Sequence, residues 1–255
     1  MLERSDRDGA PLPRVATPGG DLTLLRDTDR EDAWLVVVDS VPQSYVDLAD
    51  PTHLEFAYVR LLGDLVDLVD LVDLVDLVDG VGRARAEVPL RVVHLGGGGA
   101  TLARYVAATR PGSDQLVVEV DPALAALVSE RLGTDGFRLL VGDARAETER
   151  LPRGRADVVV LDAFTGSAVP PHLTTREHVD WVRRALAPGG VYAVNVADSG
   201  RLGFARSVTA TLAARFAAVA VLAPPAVLRG RRFGNLVLVA SDTDLPLAAL
   251  ARRTA

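Results

Sequence analysis

From Pro89 onward the apolar positions fall into blocks that switch between two periods. Continuous or alternating apolar runs of strand length occupy 91–95, 115–121, 137–142, 157–163, 190–196, 217–223 and 234–241. Between them, apolar residues at helical spacing mark 100–109, 122–132, 144–150, 174–186 and 203–215. Strands that alternate with helices predict a mostly parallel, seven-stranded sheet with helices packed on it, an α/β fold. The last two runs are joined by APPAVLRGRRFGN (223–235), which reads as a loop with no helix of crossover length. The final strand is therefore expected to run antiparallel, as a reversed edge strand.

The N-terminal third patterns differently. Residues 1–20 hold Pro11, Pro13, Pro18 and the Gly19-Gly20 pair and read as a flexible tail. Two β-like runs, Leu22 to Leu25 and Trp34 to Val38, flank the polar turn Arg26 to Asp32. Asp50 or Thr52 is placed to cap a helix carrying Leu54, Phe56, Ala57, Val59 and Leu61. From Asp64 to Asp79 the triplet Asp-Leu-Val repeats. On an α-helix successive triplets rotate by about 300°, so six Asp spread around every face. On a strand a period of three conflicts with a period of two. The segment reads as a repeat expansion that lengthens a helix or linker without a chemical role. The resulting division is a tail (1–20), a small N-terminal β/helix segment (21–63), the repeat and linker (64–82), and the main α/β domain (83–245).

Charge and composition narrow the function classes. The net charge of −6 equals the six Asp of the repeat, so the remainder of the 255 residues is near neutral and offers no nucleic-acid surface. All 28 lysine-plus-arginine positions hold arginine, which reads as coding bias. The absence of cysteine excludes disulfides, thiolate catalysis and cysteine zinc sites, and favours a cytoplasmic setting. No apolar run approaches the ~20 residues of a membrane span, so no membrane partner is expected. The four histidines, His53, His94, His172 and His178, lack metal-ligand spacing, and no metal is expected. His94 lies in a core strand and reads as a packed residue.

The candidate chemistry gathers at successive strand ends. The run 91–95 stops at Gly96, Gly97, Gly98 and Gly99, where backbone without Cβ atoms can approach a ligand and a helix N-terminus follows. As a dinucleotide fingerprint the turn is defective, because Thr101 stands where the third glycine belongs, which disfavours a dehydrogenase. Glu119 closes the next strand and suits a ribose diol; Asp121, just before Pro122, suits a helix N-cap instead. Gly142-Asp143-Ala144 follows the third strand. Asp143 can accept from an adenine amino group, with Leu140 and Val141 keeping the ring's surroundings dry, or can cap the helix at 144–150. Asp162 ends the fourth strand beside the topological switch point, where ligands bind in open α/β sheets.

On these residues the chain resembles the spermidine synthase (polyamine aminopropyltransferase) family. The resemblance runs from Trp34 to Asp242 outside the repeat. It rests on Gln43-Ser44-Tyr45, the glycine turn, Val118-Glu119-Val120-Asp121, Gly142-Asp143-Ala144, Asp162 with VPPHLTTREH behind it, and Gly234-Asn235-Leu236-Val237. It implies a small N-terminal β domain on a Rossmann-like domain with the class I methyltransferase fold. It implies as co-substrate decarboxylated S-adenosylmethionine or S-adenosylmethionine. The expected reaction passes an aminopropyl group to a small-molecule amine or polyamine acceptor. In that reading Asp162 takes the amine's proton, Tyr45 is its hydrogen-bonding partner, and Gln43 lies near the nucleoside beside Gly96 to Gly99, Glu119, Asp143 and Ala144. Two departures stand out. The family pattern carries an aspartate where Gly99 stands, a charge that selects the decarboxylated donor. After Asp162 it carries a serine-rich run with a second aspartate, where this chain has Ala163-Phe164-Thr165-Gly166. Methyl transfer to a small molecule, and a non-catalytic relative that binds a nucleoside or a partner, are the alternatives; a homodimer is left open.

Overall fold

The computed structural model describes residues 1–5, 12, 14–17, 19–69, 88–166 and 168–253. Two sheets organise them. The first is antiparallel and five-stranded: β1 (Leu2–Glu3), β2 (Arg14–Thr17), β3 (Gly20–Asp27), β4 (Ala33–Val38) and β5 (Val41–Asp47). Its order is β1-β3-β4-β5, with β2 also paired to β3. The flexible tail expected over 1–20 thus contains two strands, both laid antiparallel along β3. They cover backbone that would otherwise form an open sheet edge. β4 and β5 join through Asp39 and Ser40, both at positive φ (47° and 65°), a two-residue hairpin turn. The Asp-Ser pair carries no glycine, so the turn that creates β5 is faint in the sequence.

Helix α1 (Ala57–Leu68) follows. The expected Asp50 or Thr52 cap is not used; Phe56 precedes the helix in extended conformation, and Asp50 instead accepts the backbone N–H of Thr52 at 3.2 Å. The helix runs into the Asp-Leu-Val repeat. Leu65, Val66 and Leu68 are buried with Leu62, Val92, Val106 and Leu250. Asp64 and Asp67, three residues apart on the outer face, meet Arg253 at 3.6 and 2.5 Å. The Tyr105 hydroxyl donates to Asp67 at 3.1 Å. Two triplets, too few for the 300° rotation to exhaust the faces, still make an amphipathic turn. The start of the repeat therefore belongs to the core; Asp70 to Asp79 and the linker through Glu87 lie outside the described residues.

The second sheet carries the site. It comprises β6 (Arg91–Leu95), β7 (Asp114–Glu119), β8 (Arg138–Val141), β9 (Ala156–Leu161), β10 (Leu186–Asp198), β11 (Ala218–Leu222) and β12 (Gly234–Ser241), in the order β11-β12-β10-β9-β6-β7-β8. Helices α2 (Thr101–Thr109), α3 (Pro122–Leu127), α4 (Ala144–Arg150), α5 (Arg176–Ala185) and α6 (Gly203–Ala213) connect the strands. α3 continues as a π turn over Val128–Leu132. α7 (Pro225–Leu228) is a single turn inside the segment read as a loop, and α8 (Leu247–Arg253) ends the described chain. β12 is reversed, as the short connection demands, but it lies one strand in from the edge. It pairs antiparallel with both β10 and β11. Its residues Leu236 to Ser241 are all buried, a run apolar enough for an interior strand. This is an α/β, Rossmann-like fold of the class I methyltransferase type.

The two sheets meet through α3. Leu22, Leu24, Trp34, Val36 and Val46 pack on Leu124, Leu127, Val128 and Leu132. That contact sets the N-terminal sheet over the C-terminal ends of β6 and β7. Among the described residues no helix is long and apolar enough to cross a membrane. Because Leu65 is 1% exposed in the α1 cluster, Leu65→Ala is expected to cost about 2–5 kcal/mol in denaturant unfolding. A loss well under 1 kcal/mol would mean that the repeat does not enter the core.

Candidate functional site

The glycine turn is shaped by what its missing side chains would strike. Gly96 sits at φ 106°, and a Cβ there would run into the backbone carbonyl of Asp162. A Cβ on Gly97 would lie 2.9 Å from the Cβ of Glu119. The N–H groups of Gly97 and Gly98 donate to Glu119 Oε2 at 2.9 and 3.2 Å, and Asp121 N–H donates to Oε1 at 2.8 Å. Glu119 thus braces the turn from the end of β7. A carboxylate offers about four acceptor positions, so one is left for a hydroxyl group.

The next glycine faces the other sheet. Gly99 N–H donates to Ser44 Oγ at 2.8 Å, and Thr101 Oγ1 donates to the Tyr45 carbonyl at 2.9 Å. A Cβ on Gly99 would lie 2.7 Å from Val46 Cγ2 and 3.0 Å from Ser44 Cβ. β5 therefore fills the space that a side chain at 99 would need. Below the turn, the buried Arg104 donates to the carbonyls of Gly99, Leu132 and Gly133 at 3.2, 2.9 and 2.7 Å. Its guanidinium lies 5.3 Å over the Phe137 ring, and burial pulls its pKa down to about 10.

Asp121 caps α3 by accepting from Ala123 and Leu124 N–H. Asp143 caps α4: Oδ1 accepts from Ala146 N–H at 2.8 Å, while Oδ2 lies 3.5 Å from His172 Nε2. Ala144 is buried as the first residue of α4. Val120 and Val141, beside Glu119 and Asp143, are 68% and 51% exposed. An apolar surface is open beside the two acids, and Leu140 and Val141, expected to keep an adenine's surroundings dry, are 37% and 51% exposed. His94 is packed as expected: it meets Gln115 at 3.0 Å, and burial lowers its pKa to about 4.

At the end of β9, the half-buried Asp162 heads a polar chain that runs through the buried Asn195. Its Oδ1 accepts from Asn195 Nδ2 at 2.7 Å, and Asn195 Oδ1 accepts from Asn235 Nδ2 at 3.1 Å. The Tyr58 hydroxyl, on α1, faces the same carboxylate. Burial raises the Asp162 pKa, opposed by the Asn195 bond and the nearby Tyr58 hydroxyl, which favour the charged form. Tyr45 is not brought here. Its hydroxyl donates to Asp27 at 2.9 Å and its ring stands edge-on to His53. Gln43 bonds Val41 O within its own strand at 3.5 Å, and its neighbour Ser44 makes the contact with the glycine turn. Asn195 had a legible signal, since one amide inside the apolar run 190–196 needs a buried partner. Tyr58 had none, because helix α1 already explains it as packing.

No protein-family model matches the chain. It is 30% identical over 119 residues to the polyamine aminopropyltransferase of Vibrio vulnificus, 45% of this chain and 40% of that protein. It is 27% identical over 158 residues to that of Chromobacterium violaceum, 60% of this chain and 53% of that protein. The matches thus span about half or less of these curated relatives. The crystal structure of a probable spermidine synthase from Corynebacterium glutamicum is 32% identical and superposes with a TM-score of 0.83, covering 95% of this chain and 86% of that one. The chain belongs to the spermidine synthase family.

Within that family Gly99 gains a reason. The position that the family pattern gives to an aspartate is here occupied by β5, so an acid at 99 has no room. Gly99→Ala is expected to lower stability by about 1–3 kcal/mol in urea unfolding, and Gly99→Asp by more. An unchanged midpoint for either variant would mean that the N-terminal sheet does not rest on the turn.

Proposed function

We infer that this protein transfers the aminopropyl group of decarboxylated S-adenosylmethionine to an amine and releases methylthioadenosine. The observation that carries this reading is the half-buried Asp162, held by Asn195 and faced by Tyr58 beside the glycine turn. Glu119 keeps one acceptor position for the ribose diol. Asp143 and the exposed Val120 and Val141 supply a polar edge and an apolar face for adenine.

The chemistry asks little beyond placement. The lone pair of a neutral amine attacks the methylene carbon next to the sulfonium. The C–S bond breaks, its electron pair stays on sulfur, and methylthioadenosine leaves as a neutral thioether. The new ammonium loses its proton to Asp162. Sulfonium is already a good leaving group, so holding donor and amine in line accounts for most of the barrier reduction. A carboxylate whose pKa is raised by burial is a better base than an ordinary one. Tyr58 and Asn195 fix its orientation.

A second reading, methyl transfer from S-adenosylmethionine, is favoured by one feature. Ser44 and Gly99 present no charge where a carboxylate would repel that of the undecarboxylated donor. Turnover separates the two. With decarboxylated donor and an aliphatic amine acceptor, methylthioadenosine release is expected, and Asp162→Asn should slow it by about 10²–10⁴-fold. Methylation with ordinary S-adenosylmethionine, and an inert decarboxylated donor, would contradict aminopropyl transfer.

The pH profile tests the base. Asp162 is active only when ionised, and its pKa is raised, so the acid limb of kcat/KM should lie above the ordinary carboxylate value of about 3.9. Tyr58→Phe removes a hydroxyl that favours the charged form, so the limb should move to still higher pH. A limb that stays in place, or shifts down, would remove Tyr58 from contact with the base.

A further inference from the structure

The edge of the sheet beyond Asp162 is positively charged, and its arginines are unpaired. β10 runs on past Asn195 to Asp198, which pairs with Gly234 at the start of β12. The loops beyond both strands touch, because the backbone of Gly230 lies against the carbonyl of Gly200. This contact brings Arg201 together with Arg229, Arg231 and Arg232, all exposed. Arg229 donates to Pro225 O at 3.0 Å. Among the described residues Arg201, Arg231 and Arg232 meet no carboxylate. Elsewhere on the surface Arg91, Arg155, Arg183, Arg215 and Arg253 each pair an aspartate.

Acids are missing from the same side. The sequence from Ala163 to Thr175 holds no Asp or Glu. Asp198 is spent on backbone, accepting from Ser199 and Ala205 N–H at 2.7 and 2.9 Å. Between Asp162 and the arginines lie Asn235, which is engaged by Asn195, and the apolar Phe164 and Leu202, packed against the core, with Phe233 57% exposed. A chain with an ammonium at its far end would meet guanidinium groups there, and a polycation would be repelled. Asp162 lies level with Asn195, and the rim begins three residues of strand further on, about 10 Å at 3.3 Å per residue.

We propose that the acceptor is an amine whose aliphatic chain carries an oxyanion, carboxylate or phosphate, about 10 Å from the attacking nitrogen, held by Arg231 and Arg232 with Arg201. The planar forks of arginine suit either oxyanion in bidentate fashion. The inference rests on aminopropyl transfer only for placing the nucleophile at Asp162; its test reads binding and not turnover. Protein saturated with methylthioadenosine, and protein alone, are titrated calorimetrically with 8-aminooctanoate, 6-aminohexyl phosphate and 1,7-diaminoheptane. At least one oxyanion is expected to bind about tenfold more tightly than the diamine, with the margin shrinking as salt rises. The two oxyanion arms decide between carboxylate and phosphate. The double variant Arg231→Glu with Arg232→Glu should invert the order while the melting midpoint stays in place. Tighter binding of the diamine by the native protein, no binding of any of the three, or an order unmoved by the double variant overturns the proposal. Tight oxyanion binding without methylthioadenosine release from the decarboxylated donor would instead defeat the aminopropyl reading and leave this one standing.

Discussion

The site depends on backbone that carries no side chains. Gly96 passes under the Asp162 carbonyl, Gly97 lies against Glu119, and Gly99 lies against Ser44 and Val46. Each neighbour belongs to a different element: β9's end, β7's end and β5. A Cβ at any of the three would meet one of them closer than 3.0 Å. The four glycines therefore do more than leave space for a ligand. They let the ends of β7 and β9 and the flank of β5 converge on one turn, with Glu119 and Asp162 the acids brought to it.

The convergence couples the N-terminal third to the catalytic sheet. Ser44 and the Tyr45 carbonyl bond the turn from above, Glu119 from the side and Arg104 from below. The same N-terminal third sends Tyr58 on α1 to Asp162, and α1 is anchored by Leu65, Val66 and Leu68 of the Asp-Leu-Val repeat. A carboxylate drawn out of water is costly unless its lone pairs are satisfied; here Asn195 bonds the half-buried Asp162, and Asn235 in turn bonds Asn195. β12 reaches that chain because it inserts beside β10 and so delivers Asn235 opposite Ala197.

What could be read from the sequence follows from the range of each interaction. The strands at 91–95 and 234–241 and the helix at 144–150 match residue for residue, because their periodicity is local and uninterrupted. The caps at Asp121 and Asp143 are likewise local. The reversed strand was legible from the short loop before it, but not its insertion inside the edge, since pairing partners are a tertiary matter. β5 was hidden by a glycine-free turn at Asp39-Ser40. Tyr45 was expected beside Asp162 from the resemblance alone, and only the path of α1 across the sheet brings Tyr58 there instead. The repeat looked periodic and featureless, yet packing on α2 and α8 selects one face of its first two triplets.

The central claim is that the turn braced by Glu119 is a nucleoside cradle. It is tested most directly by titrating methylthioadenosine into the native protein and into Glu119→Gln. A carboxamide cannot accept from Gly97, Gly98 and Asp121 with both of its ends, so the variant should loosen the turn and lose the diol acceptor together. The account predicts saturable binding to the native protein, weakened about tenfold or more in the variant. Equal affinity in the two proteins, or no binding to the native one, would contradict it.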